Sequence, residues 1–117
     1  MARKLKNSLK VTVSQAGPAA VVTVVGSAGI EEAAELKARL ESLADAKVSP
    51  IVVDVSNMDF ICSSGLSAII SAHLKSRHHN GQIRLVNPQP AIREVLETTR
   101  LTKLFPLRDS VEEALKG

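Results

Sequence analysis

Residues 51–66 constrain the fold more than any other part of the chain. This stretch begins with an unbroken apolar run at residues 51–53 and ends with the pair Ser63-Ser64, ahead of an apolar pattern of helical period. A short continuous apolar run is typical of a central strand that is covered on both faces. We therefore predict a buried strand, a short loop, and a helix that begins at Ser63 or Ser64.

The start of that helix is a favourable place for an anion. The first backbone N–H groups of a helix lack intrahelical acceptors, and the positive end of the helix dipole lies beside them. Ser63 is therefore placed either to cap the helix or to carry a covalent phosphate, and the residues alone leave both uses open. Ser64 has the same two uses, and we favour the cap.

Strands and helices alternate along the chain after an N-terminal pair of strands. Residues 11–13 and 20–25 have strand patterns and flank turn chemistry at Gly17-Pro18, which predicts a hairpin. Later elements are predicted at 31–43 (helix), 51–53 (strand), 63–80 (helix closed by Gly81), 82–86 (strand), 90–96 (helix), 104–107 (short strand) and 110–115 (helix). The order predicts an α/β fold in one domain, with a mainly parallel sheet of four to five strands and about four helices.

The charge of the chain is concentrated at its N-terminus. Arg3, Lys4, Lys6 and Lys10 supply four of the 15 positive charges, which leaves 11 against 12 negative charges in the rest. We divide the chain into a basic tail at residues 1–9 and a domain at 10–117. A frayed, solvated terminus is the favoured interpretation of the tail, and weak contact with nucleic acid or an anionic membrane is the alternative.

The composition argues against several classes of protein. Phe60 and Phe105 are the only Phe, Tyr or Trp residues, so the chain has few rings on which to stack bases, and no direct nucleic-acid binding is expected. The single cysteine, Cys62, excludes an internal disulfide and fits a reducing compartment, which predicts a cytoplasmic protein. No apolar run approaches the length of about 20 residues that a membrane span needs, and no secretory signal is evident.

The sequence offers no positive case for an enzyme. A catalytic cysteine needs a positioned base, and His73, His78 and His79 all lie ten or more residues beyond Cys62. The histidines also lack metal-ligand spacing and are interpreted as a polar helix end. No nucleotide-binding or hydrolase motif is present. We therefore expect no catalytic residues, no metal and no cofactor.

Residues 54–66, Asp-Val-Ser-Asn-Met-Asp-Phe-Ile-Cys-Ser-Ser-Gly-Leu, resemble the signature of STAS domains, specifically of bacterial anti-sigma factor antagonists. The usual pattern is an apolar strand, Asp-(Leu/Val)-Ser, a few residues, and then Phe-(Ile/Met)-Asp-Ser-Ser-Gly-Leu. The resemblance covers roughly residues 8–116. It includes the hairpin, Gly26 at the end of the second strand, and the strand followed by a proline-led helix at 82–96.

The resemblance implies a partner-switching regulator of transcription. Such a protein binds an anti-sigma factor that is also a serine kinase, is released when the kinase phosphorylates the first serine of the pair, and is restored by a phosphatase. That serine corresponds to Ser63. A monomer or weak dimer is expected. The expected partner-binding residues are Asp54, Ser56, Asp59, Cys62, Ser63, Ser64, Gly65 and Leu66.

Two departures from the family pattern keep alternatives open. Cys62 stands where the family usually has Asp, and residues 26–29 lack the acid that is often found near Gly29. One alternative is a non-switching STAS scaffold or adaptor subunit of a larger signalling or membrane transport complex. Another is a small enzyme or a nucleotide binder.

Several of the predicted site residues also have structural uses. Asp54 is placed to fix a loop with its carboxylate, and Ser56 to bond local backbone. Asp59 serves either the loop backbone or a partner. Gly65 permits either the close approach of a partner or tight packing at the helix start.

Overall fold

The computed structural model describes residues 9–116, so the predicted basic tail lies outside the described residues apart from Leu9. These residues form five strands and four helices, and after an N-terminal hairpin of the first two strands the helices alternate with the other three strands. In chain order they are β1 (Leu9–Ala16), β2 (Ala19–Ala28), α1 (Ile30–Asp45), β3 (Ile51–Ile61), α2 (Ser63–Arg77), β4 (Ile83–Val86), α3 (Pro90–Thr98), a 3-10 turn (Leu101–Lys103), β5 (Leu107–Arg108) and α4 (Val111–Lys116).

The strands form one sheet in the order β1-β2-β3-β4-β5. β1 and β2 pair antiparallel through a turn in which Gly17 has a φ of 65°, a backbone conformation that favours glycine. The other three pairings are parallel. The predicted α/β fold with an N-terminal hairpin and a mainly parallel sheet is therefore confirmed. β5 has only two residues and follows Pro106, which suits a sheet edge.

The short loop predicted between residues 53 and 63 is wrong, because β3 continues to Ile61. β2 is also longer than predicted and pairs with β3 as far as Ala28↔Ile61, with register shifts on the way. Gly26, at a φ of 113°, lies at one of these shifts. The polar residues of this stretch look like a loop in the sequence because bulges interrupt the alternation that marks a strand.

Helices cover both faces of the sheet. The larger core lies on the side of α1, α2 and α3 and contains Leu36, Leu40 and Ile92. The smaller core joins Val52 and Ala114, so it lies under α4. Residues 51–53 are fully buried, which confirms the prediction of a central strand covered on both faces.

Two details of α2 differ from the prediction. The apolar spacing of Leu66, Ile69, Ile70 and Leu74 predicts a buried stripe on this helix, but Leu74 is 54% exposed, and the buried face consists mostly of small residues such as Ala68 and Ala72. The left-handed residue after the helix is Asn80, with a φ of 63°, and not Gly81. Gly81 instead packs closely, since a Cβ there would lie 3.0 Å from the Ser76 carbonyl oxygen. At α4 the spacing of Ser110 and Glu113 predicts a capping serine, and Ser110 Oγ does accept the Glu113 N–H at 3.1 Å.

His73 is buried in the core, which corrects its interpretation as part of a polar helix end. Its ring meets Phe105 edge to face, with 5.0 Å between centroids. Among the described residues, neither ring nitrogen has a hydrogen-bond partner, and the buried Ser76 hydroxyl has none either. Burial lowers the pKa of His73, and the charge of Arg77 lowers it further. The imidazole is therefore neutral in the folded protein at neutral pH.

Replacing His73 with leucine is expected to raise the free energy of unfolding by about 1 kcal/mol at pH 7, because two unpartnered polar atoms leave the core. Since the folded pKa lies below the unfolded value, the unfolded chain binds protons first, and the native protein loses stability as pH falls below about 6.5. The leucine variant should lose less of its free energy of unfolding over the same fall in pH. Urea unfolding of both proteins between about pH 5 and pH 8, a range that brackets the ordinary histidine pKa of about 6.5, measures how their stabilities differ with pH. Identical pH profiles would contradict this account.

Candidate functional site

The start of α2 is held against the end of β2. Cys62 is the N-cap residue in extended conformation, and its N–H donates to the Ala28 carbonyl oxygen at 2.9 Å. The Cys62 carbonyl oxygen accepts the N–H groups of Gly65 at 3.0 Å and Leu66 at 3.1 Å. The backbone of Cys62 therefore fixes both the position and the direction of the helix.

Ser63 and Ser64 are the first two residues of α2, and both are exposed. The N-cap is Cys62, and the helix start has no side-chain cap hydrogen bond, so the prediction that Ser64 caps the helix is wrong. A capping role for Ser63 is excluded for the same reason. The first turn of α2 contains no acidic residue. Both hydroxyls thus lie in solvent at the positive end of a helix dipole.

Asp54 and Ser56 tie β3 to the start of α3. Asp54 Oδ1 accepts the Ser56 N–H at 3.0 Å and the Ser56 Oγ–H at 2.7 Å. The Ser56 carbonyl oxygen accepts Gln89 Nε2–H at 3.1 Å, and Gln89 is the N-cap of α3. Asp54 therefore has the local fixing role that the sequence left open, although the backbone that it fixes belongs to a strand.

Asp59 is exposed and accepts a hydrogen bond from the Ser27 hydroxyl across the strand pair at 2.5 Å. The pairing moves from Gly26↔Met58 to Ser27↔Phe60, so Asp59 is the extra residue of a bulge. A bulge shifts the inward and outward alternation by one residue. As a result Phe60 is 48% exposed, although it lies two residues after the buried Met58.

Two apolar side chains at this end of the sheet were missed in the sequence analysis. Ile30, the first residue of α1, is 76% exposed, and Phe60 is exposed beside Asp59. The hydrogen bond from Cys62 to Ala28 places the starts of α1 and α2 side by side, and Ile30 and Ser63 are the first residues of these two helices. Phe60 is exposed because of the β-bulge after Met58, and no residue type in the sequence indicates that bulge.

Gly65 serves the packing of the helix start. It is buried, and a Cβ at this position would lie 2.6 Å from Ile61 Cγ1 and 3.7 Å from the Ala28 Cβ. Leu66 is half-buried and packs against the main core, and Cys62 is a half-buried free thiol. Of the eight predicted partner-binding residues, the exposed ones are Asp59, Ser63 and Ser64.

A groove of about 370 Å³ lies between α1 and α2 and opens beside Ser63. We call it the α1–α2 groove. Among the described residues that line it, Lys37 is the charged one. The lining residues are Ala33, Ala34, Lys37, Ser63, Ser64, Ser67, Ala68 and Ser71.

Residues 9–116 hold no cluster of three or more His, Cys, Asp or Glu side chains placed to share a metal ion. Among the helices within the same residues, none combines the length and the apolar character that crossing a bilayer requires.

Comparison with known proteins gives a consistent result. A model of the STAS domain matches residues 10–114. BtrV of Bordetella bronchiseptica, provisionally named an anti-sigma factor antagonist, is 26% identical over 106 residues, which span 91% of each chain. The crystal structure of an anti-sigma factor antagonist from Mycobacterium paratuberculosis superposes with a TM-score of 0.85 at 26% identity, covering 93% of this chain and 92% of the other.

The fold is also that of SpoIIAA, which is described as an anti-sigma factor antagonist. Its unphosphorylated form superposes with a TM-score of 0.81 at 18% identity, over 91% of this chain and 93% of SpoIIAA. Its phosphorylated form, from Bacillus, gives 0.75 at 17% identity, over 92% and 97%. The family match, which extends over nearly all of the described residues, confirms the resemblance seen in residues 54–66. This chain belongs to the STAS domain family.

Proposed function

We propose that this protein is an anti-sigma factor antagonist that binds an anti-sigma factor with serine kinase activity and is released by phosphorylation of Ser63. A phosphatase then restores the binding form. The proposal is supported by relatives of that name. The observation that carries it is the exposed Ser63 hydroxyl at the start of α2. On this proposal the protein is a cytoplasmic regulator of transcription that acts by binding and not by catalysis.

The native fold is suited to accept a phosphate at Ser63. The hydroxyl makes no cap hydrogen bond that the modification would break, and no carboxylate lies in the first turn of the helix. The helix dipole favours negative charge at this position. Phosphorylation adds a charge of about −1.5 to −2 and three acceptor oxygens. The modified protein should therefore remain folded.

The surface around Ser63 is suited to bind another protein. Ile30 and Phe60 are large exposed apolar side chains, and Asp59 lies next to Phe60. Apolar anchors at the centre of an interface, with polar groups at its rim, contribute most of the affinity in many complexes. A phosphate enclosed in such a contact without a cation loses its hydration, and that loss opposes binding.

Incubation with ATP and the serine kinase that serves as anti-sigma factor in the same organism is expected to add one phosphate, at Ser63. Intact-mass measurement followed by peptide mapping detects it. Ser63→Ala should acquire none, and the matched variant Ser64→Ala should acquire one, because Ser64 is equally exposed. A phosphate mapped to Ser64, or equal modification of Ser63→Ala, would overturn the assignment of the site.

A non-switching scaffold is the second candidate function. β1 lies at an edge of the sheet, and no described strand pairs with its outer side. An unpaired edge strand is a template for assembly. Size-exclusion chromatography separates the two candidates, because a large stable assembly favours the scaffold, and a monomer or weak dimer favours the switch.

A further inference from the structure

We propose that Lys37, on α1, binds the phosphate of Ser63 within the same molecule, and that the Ser67 hydroxyl donates a second contact to it. The proposal rests on the proposed phosphorylation of Ser63. It assigns the α1–α2 groove as the place where the phosphate lies, and Lys37 as its positioning residue.

Lys37 is available for this contact. It is exposed and lines the groove together with Ser63. Other charged residues nearby on α1 already have partners, since Arg39 pairs with Glu35 at 3.9 Å and Glu41 pairs with Lys75 at 3.8 Å. Within residues 9–116, Lys37 makes no ion pair. Its ammonium group can therefore contact a phosphate without first breaking an ion pair with one of the described carboxylates.

Ser67 continues the same side of α2. It lies four residues after Ser63, which places the two side chains one turn apart on one helix face, and both line the groove. Ser71, a further turn along, already donates its hydroxyl hydrogen to Glu41 at 2.6 Å. Ser67 thus offers a hydroxyl donor between Ser63 and Ser71, the serine that Glu41 already engages.

Two carboxylates on the elements next to the helix start, Asp59 on β3 and Glu32 on α1, are engaged elsewhere. Asp59 accepts the Ser27 hydroxyl, and Glu32 accepts the Gly29 N–H at 3.1 Å. Neither lines the groove, and the part of the chain that the structure describes places no other carboxylate along it. A phosphate on Ser63 that turns toward α1 therefore meets the lysine and the helix dipole, whereas Asp59 lies on β3 outside the groove. The charges favour the orientation toward α1.

The ionisation of the phosphate reports this contact directly. A nearby cation favours the dianion and lowers the second phosphate pKa from its usual value of about 6. An exposed ion pair contributes up to about 1 kcal/mol, and one pKa unit corresponds to about 1.36 kcal/mol. Removing the Lys37 charge should therefore raise the phosphate pKa by about half a unit.

The experiment installs phosphoserine at position 63 during translation and follows the phosphorus NMR shift against pH. Lys37→Gln should raise the second phosphate pKa by about half a unit. The matched control is Lys103→Gln, an exposed lysine that does not line the groove, and it should leave the pKa unchanged. Ser67→Ala should raise it by less than Lys37→Gln. High salt should reduce the difference in phosphate pKa between the native protein and Lys37→Gln, because it screens the charge of the lysine.

Equal phosphate pKa values in the Lys37→Gln and Lys103→Gln proteins would overturn the inference. The measurement needs no kinase and no partner protein, so its failure leaves the proposed switch standing. Conversely, a failure of the kinase to modify Ser63 does not affect this titration. Thermal unfolding of the unphosphorylated variants confirms that each one is folded before the comparison is made.

Discussion

Aspartate in place of Ser63 is expected to weaken binding of the anti-sigma factor by about tenfold to a hundredfold, which corresponds to about 1.4 to 2.8 kcal/mol. The cause is a carboxylate placed inside a contact that is desolvated when the partner docks. The free protein should be nearly as stable as before, because the side chain is exposed and the helix dipole tolerates the charge. Calorimetric titration measures the affinity, and scanning calorimetry measures the unfolding midpoint.

Two matched variants make the result specific. Ser63→Ala removes the hydroxyl without adding charge and should bind about as well as the native protein. Lys47→Asp changes an exposed charge just after the C-terminal end of α1, about 24 Å along that helix from the end that lies beside the start of α2, and it should leave binding nearly unchanged. Loss of affinity in all three variants would indicate a general fault of folding or surface charge, and the switch at Ser63 would lose its support.

Valine in place of Gly65 is expected to lower the free energy of unfolding by about 3 kcal/mol, which lowers the unfolding midpoint by about 10 °C or more. The added Cβ would lie 2.6 Å from Ile61 Cγ1, so either the strand end or the helix start must move. The branched side chain adds two further carbon atoms to the same crowded space. Urea unfolding measures the loss.

Ser64→Val is the matched control for this substitution. It places the same side chain one position earlier in the same helix turn, but in an exposed site. Its cost should be well under 1 kcal/mol, since only helix propensity changes. Similar losses in the two variants would show that Gly65 is not required for packing, and the account of the helix start would be wrong.

The sequence predicted the layers of the fold because its periodicities are clear. The unbroken apolar run at residues 51–53 led to the central strand, and the spacing of Leu36 and Leu40 led to the buried face of α1. The pair Ser63-Ser64 correctly placed the start of α2. These features depend on local pattern, which a single sequence records directly.

The contacts of the site were harder to predict because they depend on register and packing across elements. The bulge at Asp59, which exposes Phe60, follows from how β2 pairs with β3. The N-cap of α2 is Cys62, whose backbone is held by Ala28, and neither serine caps the helix. The need for glycine at position 65 comes from the close approach of the Ile61 side chain. That approach depends on how the strand packs against the helix, which the sequence does not show.

The most direct test of the central claim compares the native protein with the same protein carrying phosphoserine at position 63. Both are titrated calorimetrically into the anti-sigma factor, and both are unfolded by heat in the same buffer. We predict that phosphorylation lowers the affinity at least tenfold and leaves the unfolding midpoint within a few degrees. Equal affinities would contradict the switch, and a collapsed unfolding midpoint would contradict the claim that the charge acts at the surface without disturbing the fold.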